Sequence, residues 1–171
     1  MSRQSLLPQL TVNSKQVLTQ LNSGQVLKID SRCRGGIILC KRHHAEFAGY
    51  GAAVGGSCDI DCNRVIPVGD VSLIYPESYQ ERQKAFTTRQ RWFQFTQKAM
   101  ESSVPLKRAY MILIMLEKYF GTESTNSIPD DIISQLIGVL PKTVSMARQY
   151  KANHSQSEPL NFPSLQTVTI S

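Results

Sequence analysis

The chain has 171 residues, 41% of them hydrophobic and 19% charged, and carries a net charge of +6. That composition is enough to bury a core and excludes wholesale disorder, and the length suits one domain or two small ones joined by a helix. The longest apolar run, residues 109–116, has eight residues against the about 20 that a membrane span needs, so no membrane partner is expected.

Near the N-terminus Leu6-Leu7 is followed at once by Pro8, which does not have the basic-then-apolar layout of a signal peptide. The expected location is therefore the cytoplasm, where Cys33, Cys40, Cys58 and Cys62 serve as reduced thiols or metal ligands rather than as a disulfide frame. Asn13 or Ser14 can cap a short helix through Val17, Leu18 and Leu21, and Gly24 closes it. Three brief β-branched runs bounded by Gly, Asp or Pro read as strands: Val26-Leu27-Lys28-Ile29, Gly36-Ile37-Ile38-Leu39 and Val71-Ser72-Leu73-Ile74-Tyr75. The glycine-rich stretch over residues 49–56 reads as a loop or a tight strand-turn-strand.

Cys40 and His43 form one close pair of N/S ligands, and Cys58 and Cys62 form a second. Two such pairs are what a tetrahedral zinc site uses. The plainer reading is a set of β-module thiols beside exposed histidines, because a three-residue gap between cysteines is an unusual knuckle and Asp59 and Asp61 lie within it. No cofactor is expected. Redox sensing by a single thiol stays open. Enzyme signatures are missing too: the chain has no G-x-S-x-G, H-E-x-x-H or G-x-x-x-x-G-K-[ST] sequence, so a non-enzymatic role is expected.

After Pro76 the pattern becomes helical. Tyr79, Phe86, Phe93 and Met100 recur every seven residues, which is the coiled-coil period, with Gln83, Gln90 and Gln97 four positions later in each heptad. The narrow stripe and its basic flanks favour a homodimer seam over packing on the chain's own β-module. Residues 82–108 hold seven basic side chains (Arg82, Lys84, Arg89, Arg91, Lys98, Lys107, Arg108) against Glu101 alone, and residues 141–155 add Lys142, Arg148 and Lys151 with no acid. Basic stretches of this kind suit a polyanion, or are solvated helix faces.

Val104-Pro105 restarts the chain as a core helix, with a serine at 102 or 103 as cap, Leu106, Ala109, Tyr110, Leu113, Leu116 and Phe120 at helical spacing, and Gly121 as the stop. Residues 122–126 read as polar loop. Ile132, Ile133, Leu136 and Ile137 then mark one short helix, Gly138 a sharp turn, and Pro141 the first turn of a second helix. In that second helix Val144 and Ala147 face inward while Lys142, Thr143, Ser145, Met146, Arg148 and Gln149 face out. Small Ser134, Gly138 and the apolar positions together describe a helix-turn-helix whose second helix is basic and free of acids, as entry into a major groove requires.

The run 105–150, with its Pro-Leu-Lys-Arg-Ala-Tyr-Met-Ile-Leu-Ile-Met-Leu helix and its Gly138-Val139-Leu140-Pro141-Lys142-Thr143-Val144 core, resembles the DNA-binding domain of Crp/Fnr-type bacterial transcription regulators. A long dimer helix ahead of that domain is also that family's arrangement. The resemblance implies a β-hairpin wing after the second helix, for which residues 166–171 supply one strand and residues 159–162 support for the other. The chain departs from the family in a shortened effector module, in having no Gly-Glu pair and no Arg-Ser/Thr-Ala cassette, and in a recognition helix without the Arg-Glu pair; cyclic-nucleotide binding is not implied.

The expected architecture is α+β: a small β-rich effector-like module over 1–76, a long dimerisation-type helix over 77–101, and a C-terminal winged helix-turn-helix domain over 102–171. The expected function is a homodimeric regulator of transcription binding double-stranded DNA through Leu140, Pro141, Lys142, Thr143, Ser145, Met146, Arg148 and Gln149. The competing expectation is an adaptor whose helical domain meets a protein partner, RNA polymerase among them.

Overall fold

A computed structural model describes residues 14–154; the wing segments expected at 159–162 and 166–171 lie outside them. The chain is α+β. Helix α1 (Ser14–Asn22) precedes strands β1 (Val26–Ile29), β2 (Gly36–Cys40), β3 (Ala45–Gly49), β4 (Ala53–Gly55), β5 (Arg64–Val68) and β6 (Leu73–Ile74). Five helices follow: α2 (Tyr79–Met100), α3 (Pro105–Phe120), α4 (Thr122–Asn126), α5 (Asp130–Ile137) and α6 (Pro141–His154). Among the described residues no helix is long and apolar enough to cross a membrane.

The strands form two three-stranded antiparallel sheets, ordered β4-β1-β6 and β3-β2-β5. Strand β2 is central in its sheet and buried at every position, with Ile38 opposite Phe47 on one side and Ile66 on the other. A strand covered on both faces reads as an unbroken apolar run, and this is why it was legible. Strands β3 and β5 were not. Ala45-Glu46-Phe47-Ala48-Gly49 has no β-branched residue, and Pro67 interrupts β5. Pro67 is tolerated because β5 lies at a sheet edge, where a missing N–H breaks only one ladder. The glycine-rich stretch is a strand-turn-strand: β3 ends at Gly49, Ala52 N donates to Gly49 O at 3.1 Å, and β4 begins at Ala53.

Helix α2 starts where Ser78 Oγ accepts from Glu81 N, while Glu81 Oε2 accepts from Glu77 N at 2.9 Å, a reciprocal cap that satisfies donors at the first turn. Its Ala85, Trp92, Phe95, Thr96 and Ala99 are buried. Trp92 is the hub: its ring meets Phe47, Tyr50, Phe95, Tyr119 and Phe120 at centroid distances between 5.2 and 5.7 Å, and its Nε1 donates to Tyr50 O. Gly49 makes room for it. A Cβ there would stand 2.2 Å from Trp92 Cε2. Through Trp92 and Phe120 the apolar core runs continuously from the sheets across α2 into α3 and on to Ile132, Leu136 and Val144.

Helix α3 begins at Pro105 and stops at Gly121 as expected, but its cap residue is Val104, without a side-chain bond; Ser102 instead accepts from Val104 N through its Oγ. Residues 122–126, expected as loop, form the short helix α4, whose Thr125 is buried with its Oγ1 donating to Gly121 O. A run of Thr, Glu, Ser and Asn has little intrinsic helix preference; tertiary packing decides it.

Candidate nucleic-acid interface

Helices α5 and α6 are joined by a turn of three residues, 138–140. Gly138 closes α5 in the left-handed conformation at φ 64° and ψ 48°, and its N–H and that of Val139 both donate to Ser134 O. No atom lies within 4 Å of where a Cβ would stand on Gly138, so the glycine is chosen for its backbone angle and not for space. Ser134 is buried and its Oγ donates to Asp131 O. On α6, Val144 and Ala147 are fully buried. The remaining face carries the residues expected to read DNA: Leu140, Pro141, Lys142, Met146 and Gln149 are exposed, and Thr143, Ser145 and Arg148 are half-buried.

Their chemistry divides them. Among the described residues Lys142 has no hydrogen-bond or ion-pair partner, whereas the Arg148 guanidinium is committed inside the domain. Arg148 Nε donates to Asp130 Oδ1 at 2.7 Å, Nη2 to Ile128 O at 2.7 Å and Nη1 to Asn126 Oδ1 at 3.3 Å. It ties α6 to the segment that leads into α5, so the outward-facing position expected of it is corrected: its charge is already met by Asp130. Lys151 likewise pairs with Glu117 of α3. Leu140 is 72% exposed and Met146 49%, two apolar side chains on a polar surface.

The stripe Tyr79, Phe86, Phe93 and Met100 lies on the outer side of α2, exposed along its length. The helix does pack on the β-module, but through the neighbouring register Ala85, Trp92 and Ala99. Gln83, Gln90 and Gln97 are exposed with the stripe.

A second group of charged residues was missed by sequence reasoning. Arg89, counted above among the basic flank of α2, points inward to fully buried Asp59 and to Glu46, with Nη2 to Glu46 Oε2 at 2.8 Å and Nη2 to Asp59 Oδ1 at 2.7 Å. Gly55 N donates to Asp59 Oδ2, and Lys41 Nζ lies 3.2 Å from Glu46 and 3.7 Å from Asp59. Burial alone would push the Glu46 carboxyl up, but hydrogen bonds from Arg89 and His44 and the charges of Arg89 and Lys41 outweigh it and hold it at about 2. The signal was available: Arg89 sits with Ala85, Trp92, Thr96 and Ala99 at 3.6-residue spacing on the buried face.

The four candidate zinc ligands do not gather. Cys40 and Cys62 are buried while Cys58 and His43 are exposed, and among the described residues no three of His, Cys, Asp and Glu come together as a metal site. The two buried thiols are protected from ionisation. Burial raises both, Cys62 to about 11, with its Sγ donating to Arg64 O.

Comparison of the chain with known protein families, curated protein sequences and solved structures finds no match.

Proposed function

We propose that the protein is a DNA-binding transcription regulator of the Crp/Fnr kind, acting as a homodimer and by binding rather than catalysis. The observation that carries this reading is the α5–turn–α6 unit: a left-handed Gly138, a small buried Ser134, and a second helix anchored by Val144 and Ala147 that presents an acid-free face with an unpaired Lys142 at its start. In such a helix-turn-helix the N-terminal part of the second helix meets base edges and the flanks meet phosphates. The exposed aromatic stripe on α2 supplies a second copy with a seam, and two copies of α6 then address half-sites about one helical turn apart.

Fluorescence anisotropy of the full chain with fragments of its own genome, over a range of salt, tests this. The expected result is a preferred site bound at least about 10³-fold more tightly than random DNA, with affinity falling steeply as salt rises. Lys142→Ala should cost about 1–3 kcal/mol on that site and less elsewhere if Lys142 reads a base. Binding that is absent, or indifferent to sequence, overturns specific regulation.

The apolar Leu140 and Met146 favour a second reading, in which this face docks on a protein such as RNA polymerase. That complex would be nearly insensitive to salt, and Leu140→Ser with Met146→Ser would abolish it.

A further inference from the structure

A cleft of about 440 Å³ opens where the β-module meets α5. The end of β2 and the turn after it supply Cys40, Lys41, Arg42 and His43; the start of β5 supplies Asn63 and Arg64; α5 supplies Ile132 and Gln135. Every charged side chain lining it is basic. The turn is held rigidly, with Lys41 N donating to His44 O at 2.9 Å and Lys41 Nζ to Cys58 O at 2.6 Å. That places Arg42 and His43 at its tip.

The basic groups are unequally occupied. Lys41 is already balanced by Glu46, Asp59 and Asp61, and contributes little free charge. Among the described residues Arg42 and His43 have no hydrogen-bond or ion-pair partner. Arg64 faces Asp131 across the cleft mouth at 4.0 Å, with both side chains 54% exposed. A pair that long and that exposed is weak, so an anion with better geometry can take the guanidinium from it. Two arginine forks and an imidazole that converge on one space are the donor set for a phosphate group, which accepts two parallel N–H bonds from each guanidinium. Asn63 and Gln135 add amides suited to hydroxyls, and only Ile132 and Cys40 present apolar surface. The volume is that of a small-molecule site.

We propose that this cleft binds a small polar phosphate ester. The ligand would bridge the β-module and α5, and so bias how the α5–α6 pair is held. The coupling to DNA rests on the proposed function above; the binding itself does not.

The test uses the full chain without DNA. Ribose 5-phosphate and inorganic phosphate are titrated by calorimetry and by amide chemical shifts, with ribose and with chloride at matched ionic strength as controls. The expected result is saturable binding of a phosphate probe, shifts confined to residues 40–44, 63–64 and α5, and affinity at least tenfold weaker in the double variant Arg42→Gln, Arg64→Gln. Both arginines are exposed, so the variant should melt like the parent without ligand. No saturable binding, or binding that the double variant leaves unchanged, overturns the site. DNA affinity is then measured with and without saturating ribose 5-phosphate. An unchanged affinity overturns the coupling alone, and no DNA binding in either condition with the phosphate response intact overturns the DNA reading while the site stands.

Discussion

Helix α2 carries two heptad registers one residue apart, and they have opposite fates. Ala85, Trp92 and Ala99 are sealed against the sheets, while Phe86, Phe93 and Met100 each leave a large part of their surface exposed. Successive residues on a helix are separated by about 100°, so the two stripes adjoin without sharing a neighbour. By hydrophobicity alone the outer stripe is the stronger, since it has an aromatic residue or Met at every step and the inner has alanine at two of three. The inner one is buried because of its shape. Small Ala85 and Ala99 let the helix approach the sheet, and a bare Gly49 receives the indole between them. Fit to a particular surface, rather than apolar content, selects which face a helix buries.

The comparison breaks most completely at its centre. Trp92→Ala should destabilise the chain by about 3–5 kcal/mol, because the ring touches β-module, α2 and α3 at once; denaturant unfolding followed by circular dichroism measures it. A loss below about 1 kcal/mol would mean that the sheets and the helical half hold together without the aromatic hub.

Acid should loosen the same face next. Glu46 titrates at about 2 in the folded chain against 4.5 for its unperturbed value. The stabilisation is therefore fully present above pH 4.5 and is lost as pH falls from there toward 2, roughly 3 kcal/mol in all. Urea midpoints measured across that interval should drop, and in Glu46→Gln the drop should be shallower.

Arg148 sharpens the comparison from the other end of the molecule, as a second basic residue turned inward. Arg148→Ala should cost about 1–3 kcal/mol of stability, the worth of hydrogen bonds from a charged group to partly buried acceptors. If DNA is bound, the slope of affinity against salt should stay the same. A phosphate contact would reduce that slope by roughly 1, and such a reduction would show that Arg148 leaves Asp130 in the complex.

The outer stripe should give the smallest effect on the monomer and the clearest one on assembly. Phe86→Ala with Phe93→Ala should lower the stability of dilute, monomeric protein by only about 1 kcal/mol per site, because Phe86 is 37% and Phe93 47% exposed and neither fills the core. In sedimentation at higher concentration the parent should dimerise and the double variant should not. A double variant that still dimerises places the seam elsewhere.

The sequence by itself determined the elements whose signals are local. Helix boundaries at Pro105, Gly121 and Gly138, the buried strand β2 and the inward Val144 and Ala147 follow from caps, backbone angles and periodicity, each set by a few consecutive residues. Only the tertiary structure decided which stripe of α2 is buried, which basic side chains are occupied within the fold, and that residues 40–43, 63–64, Ile132 and Gln135 line one cleft. Arg42 and Lys142 read like Arg89 and Arg148 in a sequence. What separates them is an acid that folding brings close, Asp59 thirty residues before Arg89 and Asp130 eighteen before Arg148. Charge is a property of a residue, but whether that charge is still available to a partner is a property of the packed chain.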